Sequence, residues 1–318
     1  MFEKQVKELV AKITAAKSIL IFGHKNPDGD SLGAVLGLRD LIADNFGKNS
    51  DIIYDGNLPF YYDFMPGRGD FVYAEKMPQK KYDLVIAADV AGFRQMGDLQ
   101  KAFFDIAADT IKIDHHKTEE DFASLNIVKN DYVATSEVIY EAARCVDWKI
   151  SAATAQNLYV GIYCDTGGFN YIDNSNVFRV MADLVDFGAD PRQVLLHLSI
   201  STKEDIIAQA AALANTEFFY GGKLAVVSIP NKSYKKLDSG ETILIMRLRS
   251  VKGVKALVIL KEAKPEQIHA SFRSEAFPVR SVAEKLGGGG HDYAAAANLE
   301  MSLQSAKEVV VESFAGVL

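Results

Sequence analysis

Residues 18–43 read SILIFGHKNPDGDSLGAVLGLRDLIA, and how this stretch folds decides the architecture. Residues 18–23 are apolar or β-branched with no polar alternation, the pattern of a short strand buried on both faces. Helical spacing takes over from about Ser31 to Ala43. Between them lie His24, Lys25, Asn26, Pro27, Asp28, Gly29 and Asp30, which put one imidazole and two carboxylates at the end of the strand. Ligand sites of open α/β sheets form at that strand edge. Pro27 and Gly29 sharpen the turn, so these side chains can converge. Asp30 has a second reading as the N-cap of the following helix, because Asn-Pro-Asp-Gly is also ordinary turn chemistry.

The same alternation runs outward from this stretch. DIIY (51–54), DLVIAAD (83–89) and TIKID (110–114) are strand-like, and helical periodicity returns at 134–147, 152–163 and 175–187. Strands alternating with helices predict a mainly parallel sheet flanked by helices. The texture changes around 188–204, where GADPRQ carries a capping glycine and a proline and a helical stretch runs to Ala214. Strand-like runs follow at 223–229, 254–260 and 267–273, with helical stretches at 240–249 and 302–314. The expected fold is α/β. An N-terminal domain spans 1–187, a helical connector 188–215 and a smaller α/β domain 216–318. There is no internal repeat and no low-complexity segment.

Composition narrows the function. With 48% apolar and 24% charged residues in 318, the chain is an ordinary globular one. The formal charge of −7 argues against a coat for long nucleic acids or a membrane-surface binder, both of which need a basic face. That charge is uneven: residues 1–199 hold 20 basic and 29 acidic side chains, and residues 200–318 hold 15 and 13. Two cysteines are too few for a disulfide scaffold, so a reduced, cytoplasmic setting is expected. The N-terminal segment has no uninterrupted apolar core, and no stretch reaches the ~18 apolar residues of a spanning helix. No membrane partner is expected.

The acidic half concentrates its chemistry at element ends. Asp89 ends one apolar strand, Asp114, His115 and His116 end another, and Asp165 ends a helical stretch before two glycines. One such carboxylate is a common cap. Five acids and three histidines on one rim would repel each other strongly without cations between them. Mixed imidazole and carboxylate donors suit Mn²⁺, Mg²⁺, Zn²⁺ or Fe²⁺. Two cations a few Å apart can clamp a phosphoryl oxygen and generate a hydroxide.

HKNPDGD, the AAD strand end, the Asp-His-His triplet, the Cys-Asp-Thr-Gly segment and the late Gly-Gly-Gly-Gly-His run occur in an order that resembles the DHH phosphoesterase superfamily. Size and spacing resemble its NrnA-like branch, oligoribonucleases of nanoRNA that also act as pAp phosphatases, with a C-terminal DHH-associated domain. The resemblance covers nearly the whole chain. It implies a metal-dependent hydrolase that uses two Mn²⁺ ions, with Mg²⁺ as an alternative. One ion would be held by His24, Asp28 and Asp89, and the other by Asp30, Asp89, His115 and Asp165, with a hydroxide bridging the metals as nucleophile. Asp114 would support the triplet. His116 would face the scissile phosphate, or simply pack against His115.

Gly287, Gly288, Gly289, Gly290 and His291 follow a helical stretch and lead into DYAAAA, read here as helical. Consecutive glycines ahead of a helix let backbone amides approach an anion. The resemblance assigns Gly288, Gly289, Gly290, His291 and Arg273 of the SFRS segment to the substrate's terminal phosphate, across a cleft from the metals. Two departures stand out: Asn298 follows the alanine run where glycine is usual, and the SFRS-to-GGGGH link is short. Arg94 is a candidate phosphate contact or salt-bridge residue. NKSYKKL (231–237), with Tyr234 interleaved, reads as a solvated charged face before it reads as a nucleic-acid track. Cys164 reads as a small buried residue, and His197 and His269 as structural.

Expected partners are short RNA or DNA oligonucleotides, pAp and dinucleotides, and a homodimer is compatible with this reading. Rival activities are a linear or cyclic dinucleotide phosphodiesterase and a RecJ-like exonuclease. A non-catalytic nucleotide sensor is the rival from another class.

Overall fold

The computed structural model describes residues 1–77, 80–117, 120–172, 174–234 and 240–318, without the side chains of 101, 102, 104, 233, 234, 240–242 and 291. Two compact units are present, Met1–Ile200 and Ser201–Leu318. The first contains strands β1 (Ile19–Phe22), β2 (Ser50–Tyr54), β3 (Val72–Tyr73), β4 (Leu84–Ala88), β5 (Thr110–Asp114) and β6 (Leu125–Val128). Its helices are α1 (Phe2–Ala15), α2 (Gly29–Phe46), α3 (Phe93–Met96), α4 (Leu99–Asp105), α5 (Thr135–Cys145), α6 (Ala152–Asp165), α7 (Asn176–Asp186) and α8 (Pro191–Leu198). The strands pair in the order β3-β2-β1-β4-β5-β6, all parallel.

Alternating side chains of each central strand feed two cores. Ile19, Ile21, Ile86 and Ile113 pack on one face, with residues of α2, α5 and α6. Leu20, Phe22, Val85 and Ala87 pack on the other with Leu99 and Phe103 of α4. Full burial of β1 and β4 explains their lack of polar alternation. The order reverses between β1 and β4, whose loops leave the sheet in opposite directions and open a crevice at the carboxyl edge.

Two helices are brought close behind this crevice by small residues. A Cβ on Gly33 of α2 would lie 2.5 Å from the Asn157 carbonyl oxygen and 3.0 Å from the Gly161 nitrogen, both on α6. The obstacles are backbone, so the helices can approach this closely only with glycine there. Asp28 caps α2, its carboxylate accepting from the Asp30 and Ser31 amides at 3.0 Å each. The cap is therefore Asp28, and Asp30 is left for another partner.

The second unit contains α9 (Lys203–Ala214), β7 (Glu217–Phe219), β8 (Leu224–Ile229), α10 (Asn231–Tyr234), α11 (Gly240–Arg249), β9 (Ala256–Lys264), β10 (Gln267–Ser274), α12 (Arg280–Lys285), β11 (Gly289–His291), β12 (Ala294–Glu300) and α13 (Leu303–Ser313). Its sheet runs β11-β12-β10-β9-β8-β7, antiparallel except where β8 meets β9.

The alanine run corrects the sequence reading: it is strand β12, not helix. Each residue from Ala294 to Glu300 pairs with β10, and Ala294 to Ala296 also pair with β11. Alanine's helix preference amounts to well under 1 kcal/mol per residue over most alternatives, and a full ladder with β10 plus three pairs with β11 overrides it. Ala295 and Ala297 are buried in the core, and only small side chains leave room for the glycines of β11. A Cβ on Gly288 would meet the Ala296 carbonyl oxygen. The glycine run thus opens a hairpin and does not start a helix, so no helix dipole stands behind it.

Gly33→Ala should destabilise the protein by about 1–3 kcal/mol, the usual range for overpacking. A urea midpoint lowered at unchanged slope is the expected result.

Candidate metal centre

Four segments deliver acids and imidazoles to the crevice. His24 and Asp28 follow β1, Asp89 follows β4, Asp114 ends β5 with His115 and His116 after it, and Asp165 ends α6. Asp30 enters from the first turn of α2. Asp89 is 2% exposed and has φ of +62°, a region an aspartate tolerates better than most residues. Its amide donates to the Ile113 carbonyl at 2.9 Å, which bends the chain at the strand end and turns the carboxylate into the crevice.

The distances define a connected cluster. His24 Nε2 lies 3.5 Å from Asp89 Oδ2 and 3.6 Å from Asp28 Oδ1. His115 Nε2 lies 3.1 Å from Asp165 Oδ2 and 3.8 Å from Asp89 Oδ1. Among the described residues, three sets have one ligand atom per residue within 4.8 Å of each other: His24, Asp28 and Asp89; Asp30, His115 and Asp165; and Asp89, His115 and His116. Seven of the eight residues of unit 1 proposed for the metals and the triplet fall in these sets, and Asp114 adjoins them through His116 Nδ1 at 2.8 Å. Arg94 is exposed on α3 and belongs to none of these sets.

Side chains that the sequence reading missed hold the cluster in place. Both oxygens of Asp30 accept amides at the start of α5, from Thr135 at 2.7 Å and Ser136 at 2.9 Å. A buried carboxylate at a helix N-terminus is favourably placed. The Thr135 hydroxyl donates to Asp89 Oδ1 at 3.1 Å. Asp114 Oδ1 accepts the amides of His115 and His116 and sits 2.8 Å from His116 Nδ1. Its Oδ2 lies 3.3 Å from Lys112 Nζ, and neither side chain has any exposure.

Lys112 also donates to the carbonyls of Ala91 at 3.0 Å and Glu120 at 3.1 Å. It thereby ties the loop after β4 to the loop after β5. One signal for it was legible: a lysine inside TIKID is a charge in the middle of a buried strand, and such a charge needs a partner. Thr135 and Ser136 carry no comparable signal.

Electrostatics show what the cluster lacks. Burial, then the charges of Asp30, Asp28, Asp165 and Asp114, drive the Asp89 carboxyl well above its usual range. Burial and the charges of Asp30 and Asp28 push Asp165 up to about 8. Burial lowers the His115 imidazole, which favours the neutral, metal-ligating form. The Asp114 hydrogen bond raises His116. Negative charge is thus crowded where protons alone can relieve it, and hard oxygen and imidazole donors surround the crowding. This donor set fits divalent cations. Cys164 is no competing ligand: burial pushes its thiol up, and its Sγ meets the Tyr62 hydroxyl at 3.9 Å.

Comparison with known proteins supplies the family. Residues 18–162 match the DHH family N-terminal domain and residues 221–316 the DHHA1 domain. The chain belongs to the DHH family. It is 30% identical over 302 residues to the bifunctional oligoribonuclease and PAP phosphatase NrnA of Mycoplasma genitalium, covering 93% of each chain. Over 312 residues it is 30% identical to the protein of that name from Thermus thermophilus, covering 96% of this chain and 92% of that one. A solved exopolyphosphatase-related protein from Bacteroides fragilis superposes with a TM-score of 0.90 at 22% identity, covering 99% and 97%. That likeness is one of fold. The α/β architecture, a parallel sheet flanked by helices plus a smaller second sheet, is the fold of this DHH family member. Among the described residues no helix is long and apolar enough to cross a membrane.

In the second unit, strand register aligns the backbone positions of Arg273, Ala294 and His291 across three strands. Arg273 Nη1 donates to the Phe272 carbonyl at 2.9 Å. The His291 side chain lies outside the described residues, as do 235–239 and the Tyr234 side chain of the NKSYKKL tract. His269 pairs with Asn298 across the strands at 2.8 Å, and His197 stacks on Phe64 at 4.5 Å; both are structural.

Two outcomes are expected of this electrostatic arrangement. Asp89 and Asp165 hold their protons more tightly folded than unfolded, where their pKa is about 3.9. Their contribution to the stability of chelator-treated protein is therefore fully present below pH ~4 and lost as pH rises above it, through about 8 for Asp165. Urea midpoints in chelator should fall between pH 5 and pH 8, and by less in Asp165→Asn. Lys112→Met strands the buried Asp114 carboxylate and should cost about 3–5 kcal/mol in the same assay.

Proposed function

We propose that this protein is a divalent-metal-dependent phosphoesterase that hydrolyses short oligonucleotides to mononucleotides and removes the 3′-phosphate of pAp. The observation that carries the reading is the convergence of separate carboxylate–imidazole sets on Asp89 at the switch point of the sheet. The substrate class follows the names of the curated relatives.

His24, Asp28 and Asp89 would hold one cation, and Asp30, Asp89, His115 and Asp165 the other. Mn²⁺ suits this mixture of oxygen and nitrogen donors, and Mg²⁺ would be accepted at the oxygen-rich end. Such cations would supply Lewis-acid neutralisation of a phosphoryl group and acidify a water for in-line attack.

The chain's own residues do the rest. Asp30, fixed by two α5 amides, keeps its orientation whatever approaches. Asp114 holds Nδ1 of His116, which leaves Nε2 to meet the phosphate and steady its charge or give a proton to the leaving oxygen. Despite burial, the His116 hydrogen bond, with the Lys112 charge behind it, holds the Asp114 carboxyl below its usual range, and the pairing keeps His116 in that orientation.

In the second unit, Arg273 and the backbone of Gly288, Gly289 and Gly290 with His291 would receive a terminal phosphate; in the first unit, Arg94 would offer a cationic contact to substrate. The division into a catalytic domain at 1–187, a helical connector at 188–215 and a substrate domain at 216–318 belongs to the same proposal. So does a reduced, cytoplasmic setting, in keeping with the free thiols of Cys145 and Cys164.

The test is purified protein with Mn²⁺ and a panel of pAp, short RNA, short DNA, linear and cyclic dinucleotides and pyrophosphate. Mononucleotides from short RNA and AMP from pAp are expected; no hydrolysis across the panel would overturn the reading. Asp89→Asn keeps a side chain that tolerates positive φ and removes the shared ligand. Turnover should fall more than ~100-fold, beyond the cost of losing a partner behind a ligand. A cation at ~100 times its Kd adds about 2.7 kcal/mol to wild-type stability. Asp89→Asn should lose that gain in a thermal-shift titration while its metal-free melting point holds or rises.

A further inference from the structure

A run of aromatic side chains climbs from the metal cluster to the protein surface. Phe60, Tyr61 and Tyr62 form one turn of 3₁₀ helix in the connection that follows β2. β2 is parallel to β1, so this connection leaves from the same carboxyl edge as the cluster. Tyr62 is 6% exposed. Its hydroxyl lies 3.9 Å from Cys164 Sγ and 3.1 Å from where a Cβ on Gly29 would stand. Gly29 separates Asp28 from Asp30, and Cys164 precedes Asp165. The inner end of the run therefore lies against Gly29 and the Cys164 side chain, the chain neighbours of three of the clustered carboxylates.

The Tyr61 ring lies 4.7 Å from that of Tyr62, and the Phe60 ring 5.7 Å from that of Tyr61. Phe60 ends the run with 45% of its surface exposed. It is absent from the hydrophobic core that Tyr61 and Tyr62 join. A single exposed ring is unremarkable on a protein surface. A ladder of three rings fixed at one end to a phosphoester-binding cluster and open at the other is a different object. Bases stack on exposed aromatic faces irrespective of sequence, because every base presents a π-face.

We infer that Phe60, carried by Tyr61 and Tyr62, is a stacking platform for the nucleobase of the nucleotide whose phosphate occupies the cluster. This rests on the phosphoesterase reading and deepens it: the substrate would be recognised by its base as well as by its phosphates, without discrimination among bases. Tyr61 and Tyr62 are positioning residues in this arrangement, and Phe60 makes the contact.

The experiment compares pAp with ribose 3′,5′-bisphosphate, which carries the same phosphates and no base. In Phe60→Leu, which keeps apolar bulk and loses the ring, the preference for pAp in kcat/KM should fall about tenfold. Phe60→Trp should restore it. A dinucleotide carrying 2-aminopurine and a non-hydrolysable methylenephosphonate linkage, mixed with otherwise wild-type protein and Mn²⁺, should be quenched on binding. The quench should weaken when Phe60→Leu is added.

An unchanged preference in Phe60→Leu together with an undiminished quench would overturn the platform. So would equal loss of activity on both substrates, since that marks a general defect. Failure of the wild-type protein to hydrolyse either compound would instead remove the phosphoesterase reading. The fluorescence arm would still report whether a base stacks on Phe60.

Discussion

Like-charge crowding around Asp89 is the constraint on which the rest of the first unit depends. Four other carboxylates lie close enough to raise its proton affinity, and the site is buried. Left to themselves these groups would separate or stay protonated. The fold opposes separation by drawing each from a different element and pinning it: Asp28 as the cap of α2, Asp30 on the amides of α5, Asp89 under the Thr135 hydroxyl, and Asp114 on Lys112. Each anchor supplies positive potential, as amide, hydroxyl or ammonium. None of them consumes all the acceptor capacity that faces the crevice.

Stability and chemistry therefore pull in opposite directions at this point of the sheet. The two cores on either face are dense, and the parallel strands carry no polar alternation. That surplus of apolar burial lets the carboxyl edge carry a repulsive cluster and a positive φ at Asp89. Strain of this kind concentrates at functional sites. The −7 charge of the whole chain accordingly reflects a local store of negative charge as much as a solvated surface.

The second unit works by other means. Its acidic and basic residues nearly balance, and its distinctive feature is a hairpin of glycine and alanine in which backbone lies uncovered by side chains. Its own sheet is mostly antiparallel.

Much of this was legible in the residues. Strand and helix alternation follows from local periodicity, and strands that must be buried on both faces advertise it over four or five residues. The metal-ligand candidates stood at element ends, in motifs a few residues long. What the sequence could not convey were contacts between distant positions. Asp28 and Asp30 are two residues apart and both suited to capping, yet only the packing of α5 against α2 determines that Asp28 caps α2 while Asp30 takes the α5 amides. The alanine run has helical propensity, but pairing with β10 and β11 makes it a strand. The stretch from Phe60 to Tyr62 lay in a connection without motif, and its meaning appears only once Tyr62 is found against Gly29 and Cys164. The sequence by itself determined the fold class, the order of elements and the ligand types, because periodicity and short motifs are local. The tertiary structure decided which charges meet and what holds them there, because electrostatic and hydrogen-bond partners are chosen by distance in space.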